Sequence, residues 1–254
     1  MKLHYRILGE GVPILILHGL FGMSDNWQSF ARSLADNGFK VILPDLRNHG
    51  HSPHDPFHTY PLMAQDIAGL IKENHLHSPV VLGHSMGGKV CLQLLNDHPG
   101  LIQKCIVVDI APWRYPIHHR EILDALLAVD ILQIHSRKEA ETVLDDAIHD
   151  SGIKQFLLKN LYRKGDNHFA WRFNLNIINQ QIEEVGEPTW PRDQISTPVL
   201  FIKGEKSGYI DPFRMNEILQ WYPNAELVNI PNAGHWVHAE QPQLLLEEVL
   251  HFLK

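Results

Sequence analysis

The scarcities of this 254-residue chain narrow its classes before any motif does. It has two cysteines, Cys91 and Cys105, each inside an apolar pattern. Two thiols are too few for a disulfide framework, and they read as buried small hydrophobes in a reduced, cytoplasmic setting. No apolar run is long enough to span a bilayer, and Met1-Lys2-Leu3-His4-Tyr5-Arg6 lacks the apolar core of a secretory signal. Membrane insertion is therefore not expected. No basic block is present either. With 22 basic and 29 acidic residues the net charge is -7, which argues against nucleic acid or an anionic membrane as partner. The 18 histidines lack metal-like spacing. The pairs His49/His51, His54/His58, His75/His77 and His118/His119 come without a cysteine or acidic ligand at zinc-like intervals, and there is no His-Glu-x-x-His. Neither a metal nor a cofactor is expected.

What is present is a rhythm of short apolar runs and amphipathic stretches. Leu3, Tyr5 and Ile7 alternate with polar residues, giving a first strand closed by Gly9-Glu10-Gly11. Pro13–Leu17, Val41–Leu43, Val80–Leu82, Cys105–Val108 and Pro198–Ile202 are continuous apolar runs, as in strands covered on both faces. Helical patterns lie between them, over Trp27–Asn37 (capped by Ser24 or Asp25), over Tyr60–Asn74, and from Ser85 to before Pro99-Gly100. The rhythm breaks from Pro112 to Trp190. There the chain reads as helices over Glu121–Leu132, Ser136–His149, Ile153–Tyr162 and Asn174–Val185, with a short extended piece at Phe169–Phe173 after Gly165-Asp166. It resumes with a helix near Phe213–Trp221, a strand over Glu226–Ile230 and a final helix over Pro242–Phe252. This predicts an α/β fold, a mostly parallel central sheet flanked by helices. Residues 1–112 and 191–254 form the core domain, and 113–190 form a helical cap over the strands' C-terminal ends, where open α/β sheets bind ligands.

The chain centres on Gly83-His84-Ser85-Met86-Gly87. A serine used as nucleophile must stand on a strained strand-to-helix turn, and glycines two before and two after it remove side chains that would clash. The Met86 N–H then sits at a helix N-terminus, where negative charge develops. A base should follow the last strand, and His235 in Asn232-Ala233-Gly234-His235-Trp236 fits that place, with His238 as rival. A second oxyanion donor is expected from Leu20 after His18-Gly19, with Phe21 as the alternative. His18 reads as structural, Asp45, Arg47 and His49 as pins for a loop beside the site, and His84 as packing away from it. Trp236, next to the base, and Phe21 are expected to line the pocket.

These motifs, in this order, resemble the α/β-hydrolase fold superfamily across the whole chain. His18-Gly19-Leu20-Phe21-Gly22, Arg47-Asn48-His49-Gly50, Val108-Asp109-Ile110-Ala111-Pro112 and Trp171-Arg172-Phe173-Asn174 are similar to the YbfF-like group of small bacterial esterases and thioesterases. In the family's count the cap follows strand 6, the strand that ends at Asp109. Many members carry an aspartate after the seventh strand, but here the run is Gly204-Glu205-Lys206-Ser207 and serine stands in that place. The family's second solution, an acid after strand 6, points to Asp109, whose buried charge would need a partner such as His235. Glu205 and Asp211 stay open as alternatives, Asp211 also reading as a helix cap before Pro212. Ser207 would then be auxiliary. The resemblance implies a cofactor-free serine hydrolase that cleaves small-molecule carboxylic esters or acyl thioesters of short to medium acyl chains through acyl-Ser85, as a monomer or homodimer. A C–C bond hydrolase or lyase with the same triad and a low-turnover ligand-binding homologue are the alternatives. The substrate is left to the cap. Its cations Arg114, Arg120, Arg137, Lys138, Lys159, Arg163, Lys164 and Arg172 would suit an acyl-CoA if several faced the site.

Overall fold

In the computed structural model the apolar runs become parallel strands, for a reason visible in their burial. Ile14 to Leu17 are all at most 1% exposed, with successive side chains on opposite faces. Leu15, Leu17, Ile42 and Val81 join one cluster, and Ile14, Ile16, Val41, Leu43 and Leu82 join another. Both faces are covered, so the runs need not alternate with polar residues.

The structure describes residues 1–165 and 168–254. Asp166, which the sequence reading puts ahead of the extended piece, lies outside the described residues. Among the described residues nine strands follow in chain order: β1 (Tyr5–Leu8), β2 (Val12–Leu17), β3 (Phe39–Pro44), β4 (Val80–His84), β5 (Lys104–Val108), β6 (Leu161–Lys164), β7 (His168–Trp171), β8 (Val199–Gly204) and β9 (Ala225–Ile230). Among the described residues, seven form the central sheet in the order β1-β3-β2-β4-β5-β8-β9, with β1 antiparallel to β3 and all other pairs parallel. The strand that the family count makes the sixth is therefore β5 here. The chain steps outward from β2 to β3, then returns to lay β4 on β2's other side. The C-terminal ends of β2 and β4 thus flank a switch point, where a crevice opens.

The helices are α1 (Gln28–Asp36), α2 (Tyr60–Glu73), α3 (Met86–Asp97), α4 (Arg120–Ala128), α5 (Arg137–Asp145), α6 (Ser151–Leu158), α7 (Leu175–Gln180), α8 (Ile182–Gly186), α9 (Met215–Trp221), α10 (Val237–Glu240) and α11 (Pro242–Leu253). α1 and α11 cover one face of the sheet, and α2, α3 and α9 cover the other. Residues 113–190, an insertion carrying α4 to α8 and the antiparallel β6–β7 hairpin, leave the sheet after β5 and return before β8. The crossings are tied together by Thr189 N–H to Pro112 O (2.7 Å) and Tyr115 N–H to Gly186 O (2.9 Å). Buried Lys89 of α3 donates to Trp113 O (2.8 Å) and Glu187 O (2.5 Å) at the same place.

Several local expectations change. Neither Ser24 nor Asp25 caps α1. Residues 24–27 form a separate 3-10 turn, because Asp45 Oδ1 takes the Ser24 N–H (2.7 Å) and holds that segment against the site. The helix expected over Ile153–Tyr162 ends at Leu158, since Leu161 starts the hairpin. The helix expected over Asn174–Val185 breaks at Gln181, whose side chain accepts the His58 N–H (2.8 Å) instead of packing along the helix. The helix from Glu121 ends at Ala128, and Asp130 O opens a turn by accepting the Gln133 and Ile134 N–H groups (both 3.0 Å).

Candidate active site

Ser85 joins β4 to α3 with φ 53° and ψ -120°, a backbone state that few non-glycine residues adopt. The flanking glycines make it possible. A Cβ on Gly83 would lie 2.2 Å from Gly87 O, and one on Gly87 would lie 2.4 Å from Leu17 O. The second clash was not legible in the motif: Gly87 lets α3 approach the end of β2, the strand that leads into the loop carrying Leu20 and Phe21.

Asp109 follows β5 with φ 53° and is completely buried. A buried carboxylate needs donors, and three reach it. Gly204 N–H donates to Oδ1 (3.0 Å), Ser207 Oγ–H donates to Oδ2 (2.5 Å), and His235 Nδ1 lies 2.7 Å from Oδ2. The other acids are engaged elsewhere. Glu205 accepts the Asn232 N–H (2.7 Å), and Asp211 accepts the Phe213 N–H (3.0 Å) as cap of a 3-10 turn. His238 stacks on Trp27 (centroids 4.2 Å) and, among the described residues, has no hydrogen bond to a carboxylate.

His84 differs from expectation. It does not pack away from the centre: its Nε2–H donates to His235 O (2.8 Å), and the two rings lie 4.7 Å apart. Burial pushes its pKa well below that of free imidazole, so the ring is a neutral, fixed support. Tyr209 stacks on the opposite partner, His235, at 4.3 Å. Sequence reasoning missed Tyr209, although its place two residues after Ser207 was a usable signal. His119, named in the sequence only within a histidine pair, lines the cavity that holds Ser85.

The loop after β2 is held by two neutral histidines. Phe21 N–H donates to His49 Nε2 (3.2 Å), and Leu46 N–H donates to His18 Nε2 (3.0 Å). Each ring's Nδ1–H turns to a carbonyl, Arg47 O for His49 and Gly19 O for His18. Burial lowers both pKa values, which keeps Nε2 free to accept. The Phe21 N–H is thereby used. Those of Leu20 and Met86 have no acceptor among the described residues. Asn160 of the insertion donates to Phe21 O (2.9 Å), locking loop to insertion.

A cavity of about 980 Å³ brings Ser85, His235, Leu20, Phe21 and Trp236 into one wall, with Phe156 of α6 against Trp236 (4.8 Å). Asp109 and Ser207 lie behind His235, outside it. Among the described residues no hydrogen bond joins Ser85 Oγ to His235. A serine on a strained turn, a carboxylate-oriented imidazole and two free N–H groups can together transfer an acyl group.

The family model described as alpha/beta hydrolase fold matches residues 12–135 and 152–242. The chain is 38% identical over 263 residues to the sn-1-specific diacylglycerol lipase ABHD11 of Mus musculus, covering all of this chain and 85% of the mouse protein. It is 36% identical to Esterase YbfF of Escherichia coli K12, covering 95% and 92% of the two chains. A solved marine microorganism esterase superposes with a TM-score of 0.96 at 41% identity over 99% of each chain.

Proposed function

This chain belongs to the α/β-hydrolase fold family and is an esterase- or lipase-type hydrolase, and on that premise we propose that it cleaves carboxylic esters, and acyl thioesters by the same route, through an acyl-Ser85 intermediate. The observation that carries the proposal is the 2.7 Å pair of His235 Nδ1 with the fully buried Asp109. Asp109 keeps the His235 proton on Nδ1, leaving Nε2 to accept. Nε2 takes the Ser85 proton as Oγ bonds to the carbonyl carbon, and the carbonyl oxygen becomes an anion facing the Leu20 and Met86 N–H groups. Collapse breaks the bond to the leaving oxygen or sulfur, which receives the proton from His235. Water then repeats the sequence and releases the acid. Ser207 and His84 hold the acid and the base in place. Residues 113–190 act as the cap that closes the site from water, with Phe21 and Trp236 against the substrate.

Neutral substrates fit better than acyl-CoA. Of the eight cap cations considered for an anionic donor, Lys159 alone lines the cavity among the described residues. Arg114 pairs with Glu187, Arg120 bonds Asn179, and Arg172 lies over the Tyr162 ring. The names esterase and diacylglycerol lipase borne by the relatives suit a neutral ester. The free, buried Cys91 and Cys105 support a reducing, cytoplasmic setting.

The test is rapid-quench hydrolysis of p-nitrophenyl acetate by the intact protein. A burst of nitrophenol, acetyl mass on the Ser85 peptide, and loss of both in Ser85→Ala are expected. Full turnover by Ser85→Ala would refute the mechanism. Labelling without turnover would assign a ligand-binding role, and activity confined to vinylogous diketones would assign C–C cleavage.

A further inference from the structure

Ser85 borders two spaces of very different size. The cavity of about 980 Å³ is walled by Trp27, Phe30, Phe156, His235, Trp236 and Leu246. The second space is a void of about 20 Å³, walled by Tyr60, Met86, Ile110, Ile117, Val185 and Tyr209. The two share Ser85, Tyr209 and the His118-His119 pair. A void needs roughly 10–15 Å³ to take one water, so the smaller space takes a group about the size of a methyl.

Chemistry decides which half of an ester goes where. The leaving atom must receive its proton from His235, so the leaving group lies along the wall that holds His235. Among the described residues that wall is the large cavity's. The carbonyl oxygen is taken by the Leu20 and Met86 N–H groups. The remaining substituent of the carbonyl carbon is the acyl chain, and the remaining direction is the small void, beside the Met86 side chain. Its walls are braced. Met86 is 1% exposed, Tyr60 donates to Val185 O (2.7 Å), and Tyr115 donates to Tyr209 O (2.5 Å). Burial raises the pKa of both phenols, so both remain donors.

We infer that the small void is the acyl site and the large cavity the leaving-group site, so that the preferred substrates are acetyl esters of bulky apolar alcohols. This rests on the serine-hydrolase reading above and adds the direction in which substrate lies. The aromatic lining of the large cavity sets the apolar character of the alcohol, and Ile117 and Val185, both half-buried on the inserted segment, set the acyl length.

Two ester series test it on the intact protein. Across p-nitrophenyl acetate, butyrate and octanoate, kcat/KM should fall at least ten-fold. From ethyl acetate to octyl acetate, whose leaving groups are equally acidic, it should rise at least ten-fold. Ile117→Ala should raise the octanoate-to-acetate ratio at least ten-fold, and Val185→Ala repeats the test where the first variant folds poorly. A wild-type rate that climbs with acyl length, or a ratio unmoved in both folded variants, overturns the subsite assignment alone. Inactivity toward every ester, acetate included, overturns the hydrolase reading and this one with it.

Discussion

Asp109→Asn changes one atom of the buried acid and separates the three acids that the sequence left open. The carboxylate accepts from Gly204 N–H at 3.0 Å, from Ser207 Oγ at 2.5 Å and faces His235 Nδ1 at 2.7 Å. An asparagine offers one acceptor and one donor group in the same space. With its oxygen toward His235, its NH₂ would oppose the Gly204 N–H, two donors in a dry pocket, at about 1–3 kcal/mol. It should therefore turn its oxygen to Gly204 and its NH₂ to His235 Nδ1. That forces the imidazole proton onto Nε2, the position that must accept from Ser85. Loss of the correct tautomer costs roughly 10⁴ in kcat, or about 5 kcal/mol of transition-state stabilisation. KM should change little, because Asp109 does not line the cavity. The assay is kcat and KM on p-nitrophenyl acetate, with a thermal melt as folding control, beside Glu205→Gln and Asp211→Asn. Those two should keep near-wild-type kcat, since their carboxylates serve local backbone N–H groups. An Asp109→Asn enzyme that retains a tenth of wild-type kcat, or an Asp211→Asn enzyme that loses as much, refutes the reasoning.

Ser207→Ala removes one charge-assisted hydrogen bond to Asp109, worth about 1.5–3 kcal/mol, and should lower kcat about ten-fold at constant KM. A lower melting temperature with unchanged kcat would reduce Ser207 to a turn residue. Stability should fall with acid. Burial pushes His58 and His238 each down to about 3, and pushes His49 and His84 well below the free value. The unfolded chain takes up these protons near pH 6.5, whereas the folded chain refuses them, so stability is full above 6.5 and is lost as pH falls toward 3. At pH 5, His58 and His238 alone remove about 2 kcal/mol each. The urea midpoint at pH 5.0 should therefore lie below that at pH 7.5, and equal midpoints would contradict the assignment of these rings as buried and neutral.

The chain order alone determined the parallel sheet, the serine turn and the histidine after the last strand. Those features are local: an apolar run buried on two faces, glycines where a Cβ would meet backbone, one histidine beside a glycine. The family resemblance narrowed the acid to three residues, and a charge closing a buried strand, which must find a partner, favoured Asp109 among them. Only the folded chain decided the rest, through contacts between distant residues. His49, 28 residues from Phe21, takes the N–H that made Phe21 a rival to Leu20 as oxyanion donor. His84 reaches across 151 residues to the backbone of His235, so a residue expected to pack aside supports His235. Asn160 holds Phe21 from 139 residues away and sets how the inserted segment meets the core. The widths of the two spaces beside Ser85 follow from that docking. Side-chain packing across such separations fixes them, and no period or short motif along the chain encodes it.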